Sequence, residues 1–356
     1  MTHDSRSTKR RRTSDSPERL IILAPGESLE PCEGQETFTR HADFWLDDGN
    51  LILLAGATAF RVLRSVLVKK SAVFADMFAA GSLDATETFE DCPVVRLPDH
   101  PDDLCDFLQY LIPCAPIILR GDGTPLVNFD VLHAAIHLAH KYQCPDVETQ
   151  ALFVLKKYYT CHFPEHDTYD ASVTTLTVPP LSAAVAAINI ARLTQSPSML
   201  PFALYQACNL ADVVMNGYKR RDGSVEHLAA DDLRLCIRAR TELAWELARV
   251  VDAVFSPTPT KHCRTFGECA TAREMIHEMR QSHARGDCDA LSVRRTSIPW
   301  WVAEFGLCKV CKREMLRRDV EERRRVWMLL PNMFGLDDNE CSFTDGRDGE
   351  SDSDDD

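Results

Sequence analysis

No apolar run in this chain approaches the roughly 18 residues that a bilayer-spanning helix needs. The longest, such as Leu51 to Leu54 and Leu181 to Ile190, stop well short, so no membrane association is expected. Leu20 to Ala24 is the only early apolar stretch and is shorter than the apolar region of a secretory signal. The chain is therefore expected inside the cell, in nucleus or cytoplasm. Cysteine is too sparse for a disulfide scaffold: with 14 in 356 residues and no export signal, the thiols should be packing residues or metal ligands. Glycine is scarce at 15 residues, and there is no phosphate-cradling loop, no G-x-S-x-G and no kinase set. These absences point away from an enzyme. No repeat of regular period occurs, and no cluster of folded basic residues precedes Lys309 to Arg325, so nucleic acid is not an expected partner.

What the chain does have is a 45% hydrophobic content, enough for a buried core, and a net charge of −14 concentrated at one end. Residues 337–356 carry ten acidic groups and one basic. Residues 1–19 are net positive, with Lys9, Arg10, Arg11 and Arg12 forming a candidate nuclear localisation block. Neither end has enough apolar surface to offset its ordering entropy, so residues 1–40 and 337–356 are expected as disordered tails.

Between them the pattern is α+β. After the turn signal Asp47-Asp48-Gly49-Asn50, Leu51 to Leu54 is apolar at every position, as in a strand covered on both faces. A short break at Gly56 leads to Ala59 to Leu63, making a hairpin. Ser71 stands at a helix N-cap before Val73, Phe74, Met77 and Phe78. Pro93 to Leu97 reads as a further strand. Pro101, Asp102 and Asp103 open a helix carrying Leu104, Phe107, Leu108 and Leu111. Two more helices follow, one with Leu132, Ala135, Ile136 and Ala139 on its apolar stripe, the other starting at Asp146.

Those residues carry a resemblance. His41-Ala42-Asp43-Phe44-Trp45, Asp48-Gly49-Asn50, Phe60-Arg61-Val62, Arg64 to Leu67, Ser71 to Phe74, Val95 to Asp99, Phe107 to Leu111 and Ala139 to Tyr142 resemble, in order, a BTB/POZ domain spanning 41–162. The helical region 163–336, ending in Trp327 to Leu336, is similar to the C-terminal region of BTB-containing proteins of basidiomycete fungi. The resemblance implies a short β-sheet flanked by helices, homodimerisation and recruitment of partner proteins. It makes Leu63, Val66 and Leu67 candidates for the dimer interface. Some such domains bind a cullin scaffold as ubiquitin-ligase adaptors through a hydrophobic-X-Glu element. Here Leu83-Asp84-Ala85 puts alanine where the glutamate would stand, and Thr88-Phe89-Glu90-Asp91 substitutes only in a different register.

In 163–336, Leu181 to Leu193, Leu200 to Asn216 and the stripe Leu243, Leu247, Val250, Val254 read as packed helices. Cys263 and Cys269, with Cys308-Lys309-Val310-Cys311 further on, suit a structural zinc, and His262, His277, His283 and Cys288 are rival ligands. His133, His137 and His140 share a helix face opposite the apolar stripe; a metal site is imaginable there, but the stretch lacks the Glu after His133 that would serve as general base, and a solvated histidine face is the preferred reading. A nuclear regulator touching DNA through Lys309 to Arg325 competes with a merely solvated basic helix face.

Overall fold

The computed structural model describes residues 20–27, 36–80, 87–112, 127–167, 176–284, 286–292, 294 and 297–336. The architecture is mixed α and β and falls into two compact units, Met1–Cys105 with Leu111–Ala115, and Asp106–Tyr110 with Pro116–Asp356. Among the described residues no helix is long and apolar enough to cross a membrane.

The first unit is built on a sheet of β1 (Ile21–Leu23), β2 (Thr37–Trp45), β3 (Leu51–Ala55), β4 (Thr58–Val62), β5 (Thr88–Phe89) and β6 (Cys92–Leu97). Their spatial order is β1-β2-β4-β3-β6-β5. Strand β3 lies inside the sheet, antiparallel to β4 and parallel to β6, and all five of its residues are buried. That position explains its unbroken apolar run. The β3–β4 turn is two residues long and Gly56 takes a φ of +53°, as tight hairpins require.

Part of the segment expected as a disordered tail is ordered: β1 pairs in parallel with the start of β2, and Ile22 and Phe38 join Ile52, Leu54, Ala59, Cys92 and Val94 in one apolar cluster. Three consecutive apolar residues, Ile21 to Leu23, provide that strand. Residues 1–19, with the basic block Lys9 to Arg12, lie outside the described residues, as do 28–35 and the acidic end 337–356.

Helix α1 (Arg64–Lys70) starts where the Asn50 side chain accepts the Arg64 N–H at 2.9 Å, a cap supplied from a distant turn. Helix α2 (Ala72–Ala79) is capped as its sequence predicts, Ser71 Oγ accepting from Phe74 N at 3.0 Å, and buries Phe74 and Phe78. Of the expected dimer-facing residues, Leu67 is fully buried, because α1 turns it into the core of its own chain. It has no area to offer a partner. Leu63 and Val66 are half-buried and keep some. Thr88 to Asp91 forms β5 and a turn in which Glu90 pairs with Arg40 and Arg61; the segment Leu83 to Ala85 lies outside the described residues.

Helix α3 (Pro101–Leu111) contributes residues to both units. The second unit is helical: α4 (Phe129–Lys141), α5 (Pro145–Tyr158), α6 (Phe163–Asp167), α7 (Ala183–Leu193), α8 (Leu200–Asn209), α9 (Ala230–Val254), α10 (Phe266–His283), α11 (Ser297–Glu304) and α12 (Lys309–Met333). A two-stranded ribbon, β7 (Tyr218–Lys219) and β8 (Val225–Glu226), lies between α8 and α9 in the chain. The core of this unit joins α4 and α5 to α7, α8 and the later helices. Helix α7 is mostly apolar and buries eight of its eleven residues, with Asn189 and Arg192 as its polar positions, whereas α9 is amphipathic, burying Ala239, Leu243, Leu247, Val250 and Val254.

Candidate metal centre

The cysteines predicted from spacing are brought together by three different pieces of chain. Cys263 sits in the loop after α9, Cys269 in the first turn of α10, and Cys308 and Cys311 at the start of α12. Their sulfurs all lie within 4.8 Å of one another, and Cys263 Sγ is 3.8 Å from Cys308 Sγ. That is far beyond a disulfide bond of about 2.05 Å, and all four are free thiols. Four sulfurs converging in this way could hold a metal ion. The rival ligands stay out. His262 is exposed, His277 pairs with Asp252, His283 meets the Met279 carbonyl, and Cys288 points to Asn209 Oδ1 at 3.1 Å.

The surroundings favour a sulfur anion at Cys308. Cys308 is the N-cap of α12, and its sulfur accepts the Cys311 N–H at 3.5 Å. Cys269 Sγ accepts the Cys308 N–H at 3.3 Å and lies 3.2 Å from Thr265 Oγ1. Backbone donors at a helix start are the usual means of drawing a thiol toward ionisation. Burial pushes Cys308 up, yet the N–H groups of Cys311 and Arg264 and the neighbouring thiols outweigh it and draw it down to about 6. Burial pushes Cys311 up to about 12, because thiols this close cannot all ionise without a cation among them.

One residue that spacing did not flag belongs to this cluster. Arg273, one turn along α10 from Cys269, is only 1% exposed, and its Nε donates to the Ser256 carbonyl at 2.6 Å. Its Nη1 and Nη2 are buried without a hydrogen-bond partner. Burial lowers its pKa, and charge on Cys311 and Cys269 works against that effect. A guanidinium in this position requires negative charge nearby, and the sulfurs are its source. The i, i+4 spacing from Cys269 was a legible signal.

The histidine face of α4 is not a solvated surface. His133 is 3% exposed, His137 is half-buried, and only His140 is in water, where it pairs with Glu148 at 3.1 Å. The expectation failed because the β7–β8 ribbon covers the side of α4 opposite its apolar stripe. Phe129 meets Tyr218 edge-on at 5.4 Å, and the Tyr218 hydroxyl donates to Asp130. The covering strand also delivers Glu226 to the two imidazoles. His137 is held down to about 4, first by burial and then by His133.

Four of the eight basic residues from Lys309 to Arg325 are paired within the fold. Arg323 is fully buried against Asp319 and Asp167, Arg317 and Arg318 pair with Glu314, and Arg325 pairs with Glu246 and Glu322. Those guanidiniums are answered by carboxylates of the same chain. No protein-family model and no curated protein matches the chain.

Proposed function

We propose that the protein is a non-catalytic interaction module that homodimerises through a BTB/POZ-like region and recruits other polypeptides, with a helical C-terminal region stapled by zinc. The observation that carries the first part is the order of elements. The hairpin β3–β4 is followed by the helix pair α1–α2, a parallel return strand β6 beside β3, and then α3, α4 and α5. The resemblance implies a short β-sheet flanked by helices, and this order supports that reading. Leu63 and Val66, with the exposed Val68, supply apolar surface beside the hairpin for a second copy.

The zinc reading rests on sulfur geometry. Tetrahedral zinc with bonds of about 2.3 Å sets its sulfurs about 3.8 Å apart, which is the separation of Cys263 and Cys308. Such a site would tie α10 and the preceding loop to the start of α12, closing a gap of 38 residues between the cysteine pairs.

Light scattering on the full chain at micromolar concentration is expected to give twice the monomer mass, and Val66→Asp to reduce it to one. A strictly monomeric wild type overturns the dimer. Metal analysis is expected to find sulfur-bound zinc. Its absence after zinc supplementation removes the staple.

A further inference from the structure

The cluster on α4 carries an inference of its own, independent of the cysteines. His133 and His137 are four residues apart, so α4 stacks their rings on one face with centroids 4.4 Å apart. Asn128 fixes the start of that helix by accepting the Val131 N–H at 2.9 Å. Opposite the rings stands Glu226 on β8. Its Oε2 accepts from Asn189 Nδ2 at 3.3 Å, which turns Oε1 toward the imidazoles. Oε1 lies 2.8 Å from His133 Nε2 and 3.9 Å from His137 Nε2. All three of these atoms are buried, and none has a hydrogen-bond partner.

That last fact decides between two readings. A His–Glu pair serving as its own buried ion pair aligns its N–H with the carboxylate, since buried polar atoms are almost always satisfied. Here the 2.8 Å approach is close without being aligned, and a second imidazole aims at the same point. Two nitrogens and an oxygen, close in space yet without an aligned hydrogen bond, converge on a common position.

We propose that His133, His137 and Glu226 form a metal site for a divalent ion of the zinc class, fastening the β7–β8 ribbon to α4. Two imidazoles and a carboxylate are a ligand set for zinc, copper, nickel or iron rather than calcium or magnesium. Tetrahedral bonds of about 2.0 Å put ligand atoms about 3.3 Å apart, and the observed 2.8 and 3.9 Å straddle that value. Asn189 then serves as the outer-shell group that orients the carboxylate. Arg220, whose Nε is 3.6 Å from Oε1, is the cation that the metal replaces. Among the described residues no fourth His, Cys or carboxylate completes the set, so water fills the remaining coordination.

The test uses the full chain saturated with zinc and freed of excess by gel filtration. Wild type is expected to keep this ion whether or not the cysteines are loaded, and X-ray absorption should show nitrogen and oxygen scatterers around zinc. His137→Gln and Glu226→Gln should each lose this ion and retain any sulfur-bound one. Cys308→Ser should do the opposite, so the two sites fail separately. Sulfur as the sole scatterer in wild type, or unchanged zinc content in both folded variants, overturns the proposal. Because the absorption measurement is made on wild type, misfolding of a variant does not leave the question open.

Discussion

Arg323 Nε donates to Asp319 Oδ2 at 3.0 Å, one turn away on α12, and both side chains are fully buried. The second oxygen of Asp319 accepts from Arg294 Nη1 at 3.1 Å, and Arg323 also meets Asp167 at the end of α6. Two arginines and two aspartates thus answer one another inside the core. Removing one carboxylate strands a guanidinium where water cannot reach it. Asp319→Asn is expected to cost about 3–5 kcal/mol in urea unfolding. Arg234→Ala, which breaks an exposed pair with Asp231, should stay within about 0.5 kcal/mol. Equal costs for the two variants would mean that the buried network is not charged.

The cysteine cluster predicts a metal-linked stability. With free zinc at 100 times its dissociation constant, wild type should gain about 2.7 kcal/mol over the metal-free chain. Cys308→Ser and Cys311→Ser should gain far less, while Cys161→Ser, outside the cluster, responds like wild type. Cobalt in place of zinc should give the near-ultraviolet sulfur-to-metal band in wild type and a weaker one in either cluster variant.

His166 predicts an acid-side loss of stability. Its ring stacks on Trp327 at 4.6 Å, and burial, with Arg323 adding to it, holds its pKa down to about 4. The unfolded chain takes up this proton near pH 6.5 and the folded chain only near 4, so acidification through that window favours unfolding. The effect amounts to up to about 3 kcal/mol and is absent above pH 6.5. His166→Phe keeps a ring and removes the titration. Its unfolding free energy should fall less steeply between pH 6.5 and 4 than that of wild type, and parallel profiles would rule this origin out.

Gly217 enters β7 with a φ of +69°, and a Cβ there would sit 2.3 Å from the Glu226 carbonyl oxygen. Gly223, at +83°, has open space around it. Gly223→Ala should therefore cost only the backbone penalty, about 1 kcal/mol. Gly217→Ala adds a clash with main chain and should cost clearly more, with faster amide exchange in the ribbon. The opposite ranking would show that the ribbon is not held as described.

The elements legible beforehand were those whose signals are local. Ser71 announces α2, Pro101 with Asp102 and Asp103 announces α3, and the unbroken run Leu51 to Leu54 announces an interior strand. The cysteine cluster was legible because each pair is short-range and only the meeting of pairs is not. What escaped depends on distant partners. Strand β1 is three residues long and forms only against β2. The Asn50 cap on α1 spans 14 residues. His133 looked like surface because Glu226 and the two-residue strands that present it leave no periodic trace. Leu67 illustrates the reverse problem, since an apolar residue on a short helix reads alike for a core and for an interface.

Helix α7 buries Ala183, Ala184, Ala186, Ala187 and Ala191 together with Val185, Ile188 and Ile190, leaving only Asn189, Arg192 and Leu193 toward water. With these positions fully buried in a close-packed core, an added methylene is costly. Size therefore limits viable replacement there, and a polar newcomer bears the added cost of burial without a partner. On α9, where Ile237, Arg238 and Trp245 look into water, bulk is nearly irrelevant and the backbone preference of the residue decides.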